Sequence, residues 1–437
     1  MRLFTAIAFL AAAASQPGFG ADSKTALLLI SIDGMRPDYV LKADQYRLKI
    51  PHLRRLLSEG AHASGVRGVL PTVTYPSHTT ILTGVWPAKH GIYSNVAFDP
   101  LKLNAAGWKW YAEDIAVPTL WDAAAKAGLQ VGSVSWPVSV GARAVNYLIP
   151  EYWRAPKFPD DIKLLRALST PGLMTEIEKQ AGPYVNDLDE AVAGDRQRTR
   201  YAAAILRTKR PQFMTVHLAA LDHLQHAAGP FSPEALATIE QSDAEIGEIE
   251  DAAKAVFSSV IVCVVSDHGF ARTDHDFDLM APIVQAGLAA YVHPDGGSAS
   301  VVLKDPRDEA TRGKVGQLLQ RLAADPANGI DRVLGAKEIA AMGGWPVAAF
   351  WVDMKIGFAV VVTGPQVQAR KVGGTHGYLP THPELLASFF IAGPGVRKGL
   401  DLGEIDMRSV APTVAKALGT SLPLADLKGL EIFIRTR

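Results

Sequence analysis

The sequence predicts an α/β sandwich with a mostly parallel central sheet, and three observations carry that prediction. Short continuous apolar runs recur along the chain, helical patterns lie between them, and several of the runs stop abruptly at an aspartate. Strands buried on both faces read as unbroken apolar stretches rather than alternating ones. Strand–helix alternation stacks such strands side by side with helices on both faces.

Taken in order, residues 1–21 read as a signal peptide. Met1-Arg2 precedes the apolar stretch LFTAIAFLAAAA and a set of small residues ending near Ala21. That stretch has the length of a secretion signal and is too short to span a bilayer. The expected location is therefore exported, periplasmic or secreted. The first strand is TALLLISI (25–32), ending at Asp33-Gly34, and PHLRRLLSEG (51–60) reads as a helix. In LPTVTYPSHTTILTG (70–84), Pro76 reads as the first residue of a helix with Thr74 upstream as its cap. PTLWDAAAKAG (118–128) is helical, and QVGSVSWP (130–137) and QFMTVHLAALD (212–222) are strands. A long helix over 232–256 leads into the strand SSVIVCVVSDHG (258–269), and ASFFIAGPG (387–395) repeats the strand pattern.

Residues 271–372 break this rhythm. They hold the strand-like SASVVL, a charged helix in DEATRGKVGQLLQRLAADP and an expected hairpin at AAFWVDMKIGFAVVVTG. The predicted organisation is a catalytic core over 22–270, an inserted cap subdomain over 271–372 and a return to the core over 373–437. No later apolar run reaches transmembrane length.

Composition narrows the function classes. Lys plus Arg and Asp plus Glu both number 44, so net charge is zero. A broad basic face for duplex nucleic acid is not expected. Cys263 is the only cysteine, which excludes an internal disulfide and fits a periplasmic enzyme better than a disulfide-stapled secreted protein. Its place in the run VIVCVVSD points it into a core.

Ligands in such sheets gather at the carboxyl ends of the strands. Here those ends carry Asp33, Asp222, and Asp267 with His268. Asp222 and His226 stand four apart, on one face of a helical turn, and His376 lies in a glycine-rich loop near the return to the core. Mixed Asp and His donors suit zinc or a similar divalent ion. Six of them make two three-ligand sites, each with an open position, as a catalytic metal requires. Each residue alone is weak evidence, since an Asp at a strand end is usually a turn former or cap. Their joint placement at one end of the sheet is far less common.

The motifs IDGMRPD, PTVTYPSHTTILTG, HGIYSN, LDHLQH, SDHGF and GTHGYLPTHPELLASFFIAGPGV stand in this order from about Leu27 to Leu422. Together they resemble the nucleotide pyrophosphatase/phosphodiesterase branch of the alkaline phosphatase superfamily. The resemblance implies an alkaline-phosphatase-like sandwich and two Zn2+ ions, other divalent ions fitting the same donors. It implies a phosphodiesterase cleaving a small-molecule phosphodiester or nucleotide through a phosphothreonine, releasing a nucleoside monophosphate. Carried over by motif, Asp222, His226 and His376 would hold one metal. Asp33, Asp267 and His268 would hold the other, which also takes the oxygen of the nucleophile Thr74. Asn95 matches the asparagine that donates to a non-bridging phosphate oxygen. The chemistry is consistent: a neutral threonine hydroxyl is a poor nucleophile near pH 7, and a metal ion stabilises its alkoxide. A helix N-terminus adds N–H groups for the phosphate.

The sequence also departs from the pattern. Gln225 stands where the family usually has Gly, and Tyr75 where it often has Phe. His223 is expected beside the metal site without binding it, His78 and His90 as structural, and Asp274 and His275 outside the metal set. Threonine monoesterase relatives carry Lys-x-Arg after the strand near Ser135, since a monoester dianion needs extra positive charge. SWPVSVGARAVNY offers only Arg143, which favours diesters. Tyr75, Trp136 and Tyr147 are the predicted walls for the second substituent. The alternatives are a monoesterase, a phosphonoacetate-type hydrolase, or an inactive periplasmic metal-binding protein. A sulfatase is set aside, because Thr74 cannot become formylglycine and His78 replaces the required Arg. Oligomeric state and physiological substrate are not encoded in any motif.

Overall fold

The computed structural model describes residues 25–100, 107–153, 158–185 and 190–434. The expected signal peptide lies outside the described residues. Eight strands form the central sheet, in the spatial order Leu400–Asp401, Ala61–His62, Phe389–Ala392, Ser259–Val265, Thr25–Ile32, Phe213–Leu218, Val131–Val134 and Tyr147–Ile149. Thr25–Ile32 is central and runs parallel to both neighbours, with Leu27 opposite Phe213 on one side and Ile261 on the other.

The pleat explains the unbroken apolar runs. Successive side chains of a strand point to opposite faces. Leu28, Ile30 and Ile32 enter one core with Ala202, Ile205, Ile239 and Ile246 from the helices Val192–Lys209 and Pro233–Lys254. Leu27 and Leu29 enter the other with Leu82, Trp121, Val410 and Val414. Cys263 is fully buried in that second core. Local chemistry starts the helices: Pro233 opens its helix behind Ser232, whose Oγ accepts the Ala235 N–H. Thr119 and Asp122 form a reciprocal capping box before Leu120–Lys126.

Phe389–Ala392 is the exception to the parallel pattern, being antiparallel to both its neighbours. Its first residue, Phe389, therefore pairs with Val265 at the carboxyl end of the adjacent strand. This reversal delivers the segment that contains His376 to the same end of the sheet as Asp33 and Asp267.

Residues 271–375 build two smaller sheets. One is four-stranded: Ile330–Gly335, Phe350–Met354, Ser298–Leu303 and Ala290–Pro294. The other is three-stranded: Gly357–Val361, Ala271–Asp278 and Val367–Thr375, so its last strand runs past residue 372. They share a core that includes Phe277, Val301, Leu319 and Val352, with Val315 and Leu319 from the helix Glu309–Ala324. The expected hairpin does not form. Phe350–Met354 pairs with Ser298–Leu303 and Ile330–Gly335, while Gly357–Val361 pairs parallel with Ala271–Asp278. A turn does close, with the Phe358 N–H on the Lys355 carbonyl, but the Met354 and Lys355 N–H groups donate to the Gly297 and Gly329 carbonyls instead of across a hairpin. Gly357, at φ 108°, then redirects the chain into the other sheet, a conformation open mainly to glycine.

Candidate functional site

The site starts where the central strand ends. The Asp33 N–H still donates to Leu218, in the sheet, but Gly34 turns away at φ 68° with its N–H on Asp267 Oδ1 at 3.1 Å. A Cβ on Gly34 would lie 2.9 Å from Gln225 Nε2. Glycine is thus required both for the turn and for the close approach of the next element.

That element is the helix Ala220–Ala228, which carries Asp222, His223, Gln225 and His226. Its start is capped from a distance: the N–H groups of Ala219 and Ala220 both donate to Asp195 at 2.9 Å, and Arg198 holds Asp195 at 2.7 Å. Gln225 is fully buried. It accepts the Tyr39 hydroxyl at 2.8 Å and donates to the Gly34 carbonyl at 3.0 Å, fastening the helix to the Asp33 turn. Glycine in its place could make neither bond.

The nucleophile candidate sits on the helix Thr74–Thr83. Contrary to the expectation, Thr74 is the first helical residue and not its cap. Val73 holds the cap position in an extended conformation and offers no side-chain cap, and Pro76 is the third helical residue rather than the first. Position 73 lacks a polar side chain, so the first amides look elsewhere. The Tyr75 N–H finds Asn95 Oδ1 at 2.8 Å. His78 is fully buried: its Nδ1–H donates to the Thr74 carbonyl and its Nε2 accepts the Ser31 hydroxyl, both at 2.8 Å. Burial lowers it to about 3, so it is a neutral strut between helix and strand. His90 is likewise buried and bonded to Thr80.

Six acidic and imidazole side chains meet at this end of the sheet. His268 Nε2 lies 3.4 Å from Asp33 Oδ1 and 3.2 Å from Asp267 Oδ2. His376 Nε2 lies 3.6 Å from Asp222 Oδ1, and His226 Nε2 lies 3.3 Å from Asp222 Oδ2. Two triads are compact enough to share an ion: Asp33, Asp267 and His268, and Asp222, His268 and His376. His268 belongs to both, and its ring stacks on His376 with centroids 3.8 Å apart.

The donor set fits divalent metal. Asp33 Oδ1, Asp222 Oδ1, Asp267 Oδ2 and His268 Nε2 are buried without a hydrogen-bond partner, and all four face the shared space. Buried polar atoms left unpaired are costly, and buried like charges more so. Burial and then the neighbouring charges of Asp267 and Asp222 push the Asp33 carboxyl well above its ordinary range. All three histidines also turn Nδ1 to a main-chain carbonyl: His226 to Gly374, His268 to Gly269 and His376 to Thr72, at 3.2, 2.9 and 3.1 Å. That arrangement favours the Nδ1–H tautomer and leaves Nε2 as the nitrogen available to an ion. Burial lowers His268 and His376 to about 4 and 3, which keeps both imidazoles neutral.

A cleft of ≈ 140 Å³ opens over this cluster, with Thr74, Asn95, Asp222, His226 and His376 in its wall. Trp108 and Trp153 also line it, their rings in edge contact at 4.8 Å. Of the three predicted aromatic walls, Tyr75 borders the cleft, although its side chain is wholly buried with its hydroxyl on Glu151 at 2.7 Å. Trp136 does not: it is fully buried in the core against the His78 ring. Tyr147 opens its strand at the amino end of the sheet, beside Gln130 and under Lys209. Arg143 lines a separate surface hollow, and the arginine in the cleft wall is Arg198, paired with Asp195. Asp274 and His275 bond to each other away from the cleft, at 2.6 Å.

Sequence reasoning missed His217, Glu151, Trp108, Trp153 and Arg198. His217 left one signal, a histidine inside an otherwise apolar strand. Burial disfavours its charge, but Glu151 and Asp33 on either side raise it to about 10.

A family model described as "Type I phosphodiesterase / nucleotide pyrophosphatase" matches residues 27–379. The chain belongs to that family. Among curated relatives of the phosphodiesterase family, human ectonucleotide pyrophosphatase/phosphodiesterase family member 1 is 27% identical over 255 residues, 55% of this chain and 23% of the relative. An uncharacterized pyrophosphatase/phosphodiesterase of Schizosaccharomyces pombe is 28% identical over 279 residues, 62% of this chain and 50% of the relative. The chain thus spans about a quarter to a half of the length of these relatives. Among solved structures, murine ectonucleotide pyrophosphatase/phosphodiesterase 5 superposes with a TM-score of 0.66 at 21% identity, covering 91% of this chain and 96% of that one. A second structure of the murine protein, an inactive threonine-to-alanine variant in complex with AMP, superposes equally well at 20% identity. The shared fold is the alkaline-phosphatase-like sandwich.

Proposed function

We propose that this member of the phosphodiesterase family hydrolyses phosphodiester or pyrophosphate bonds of small nucleotides, with Thr74 as nucleophile and two divalent ions, zinc first among them. The observation that carries the reading is the convergence of four unpartnered buried donor atoms beside Thr74. Asp222, His226 and His376 would hold one ion, and Asp33, Asp267 and His268 the other. When bound, such ions supply Lewis-acid stabilisation of the attacking and leaving oxygens.

The rest follows from the chain's own groups. Thr74 heads its helix, so its Oγ1 meets the phosphorus where the helix dipole favours an anion. Asn95 accepts the Tyr75 N–H through Oδ1, which directs its Nδ2 to donate to a non-bridging oxygen. Thr74 gives up its hydroxyl proton to solvent, and the Oγ1–P bond forms as the bond from phosphorus to the leaving oxygen breaks. Water then attacks the phosphothreonine, its oxygen bonds to phosphorus, and Thr74 leaves with a proton regained from the attacking water, to give a nucleoside monophosphate. The variant of the murine structural neighbour described as inactive, with AMP bound, supports a threonine in this role. Trp108 and Trp153 replace Trp136 and Tyr147 as the proposed walls for a substituent. Diesters are favoured because the one arginine among the described cleft residues is already neutralised by Asp195. We place the enzyme outside the cytoplasm on the strength of residues 1–21.

Two measurements test this. The zinc-loaded protein should hydrolyse bis-p-nitrophenyl phosphate with a higher kcat/KM than p-nitrophenyl phosphate; the reverse order moves it to the monoesterases. Thr74→Ala should keep its metal and lose turnover, whereas surviving activity removes Thr74 from the mechanism. Metal without any wild-type turnover would leave the metal-binding protein.

A further inference from the structure

Behind Asp33 lies a polar chain that the proposed reaction does not use. His217 Nε2 sits 3.0 Å from Asp33 Oδ2, and its Nδ1 sits 2.7 Å from Glu151 Oε2. The other Glu151 oxygen accepts the Tyr75 hydroxyl at 2.7 Å. Asp33, His217, Glu151 and Tyr75 are all buried, and each borders the cleft, with the Tyr75 ring packed edge-on against Trp108. Tyr75 in turn follows Thr74, and its N–H is held by Asn95.

We propose that His217, Glu151 and the Tyr75 hydroxyl form a positioning relay that presents Asp33 to the metal through a single oxygen and ties that donor to the helix of the nucleophile. The relay splits the two oxygens of Asp33 between different tasks. Oδ2 is taken by His217, and Oδ1 is left buried, unpartnered and 3.4 Å from His268 Nε2. With Oδ2 held, rotation of the carboxylate to use both oxygens on one ion would break the His217 contact. Glu151 keeps the imidazole in register, its own backbone N–H anchored on Ser139 Oγ at 3.2 Å. Partners of this kind orient metal ligands, and their loss typically weakens metal binding or activity by about 10–100-fold. Isolated packing would explain burial, but not a continuous run of hydrogen bonds from a donor carboxylate to the residue after the nucleophile.

The inference rests on the two-metal reading, so the experiment separates them. Wild type, His217→Ala, His217→Gln and Tyr75→Phe are dialysed against graded free zinc. Bound metal per chain is measured by mass spectrometry, alongside kcat and KM on bis-p-nitrophenyl phosphate. Wild type should hold two ions. His217→Ala should bind one of them about 10–100-fold more weakly and keep the other. His217→Gln, which retains a donor for Asp33 Oδ2, should recover much of that loss. Tyr75→Phe should weaken the same ion by a smaller factor and lower kcat with KM unchanged; this variant carries the test if His217→Ala fails to fold. Wild-type metal affinity in both His217→Ala and Tyr75→Phe overturns the relay while sparing the two-metal reading. A wild-type protein that binds no zinc overturns both.

Discussion

Asn95 accepts the backbone N–H of Tyr75 through Oδ1 at 2.8 Å, so its amide nitrogen is the end left to face the cleft. This one bond both ends the helix of Thr74 and orients a donor beside it. Asn95→Asp keeps the acceptor but loses the donor and adds a negative charge. It should keep a melting temperature near wild type while kcat/KM falls about 100-fold or more, the scale of removing an oxyanion donor. Activity close to wild type would take Asn95 out of the reaction.

Gln225 makes a different kind of prediction. Gln225→Gly restores the residue usual in the family, yet here it strands the Tyr39 hydroxyl and the Gly34 carbonyl. Leaving buried polar groups unpaired costs about 1–3 kcal/mol, and glycine inside a helix adds about 1 kcal/mol. With two groups stranded, chemical denaturation should therefore show a loss of about 3–7 kcal/mol. A neutral result would mean that the helix Ala220–Ala228 is held by its Asp195 cap alone.

The aromatic residues can be sorted by two variants. Trp153→Ala should raise KM for aromatic diesters with little change in melting temperature, because Trp153 lines the cleft and is only partly buried. Trp136→Ala should do the opposite, lowering stability by about 3–5 kcal/mol as buried aromatic truncations do. If Trp136→Ala chiefly raised KM, its burial would not describe the working enzyme.

Glu245 supplies a pH signature of its own. It is buried, and burial followed by the nearby Asp195 charge raises its pKa to about 8 from an ordinary 4.5. The folded protein then holds a proton that the unfolded chain releases, so its contribution to stability falls as pH rises from about 4.5 to 8. Glu245→Gln cannot ionise. Its melting temperature should exceed that of wild type at pH 8 and the gap should close towards pH 5. An equal difference at both pH values would mean that Glu245 stays ionised in the fold.

Parts of this molecule were legible because they are local. The apolar runs that end at Asp33 and Asp267, and the helical patterns over 118–128 and 232–256, each need only a few neighbouring residues to be read. The misreadings also have local causes. Thr74 resembles a cap by type, but the backbone turns one residue earlier, at Val73. Phe350–Met354 and Gly357–Val361 look like a hairpin by spacing, but their edges have other partners available. Trp136 looked like a cleft wall because it follows a strand, and only packing shows that it faces inward.

By itself the sequence determined the sandwich, the side-chain types at the carboxyl ends of its strands and the motifs that mark the family. Those properties live in hydrophobic period and short spacings, which survive in a linear string. Tertiary structure alone decided that His217 stands against Asp33, 184 residues away, and that Asp195 caps a helix 25 residues beyond it. It also decided that three histidines turn Nδ1 to carbonyls of other segments or of the next residue. The order and direction of strands set those meetings, above all the antiparallel Phe389–Ala392. Burial then forces each polar atom there to find a partner, and the few described atoms that have none mark the donor cluster on which the proposed metal reading rests.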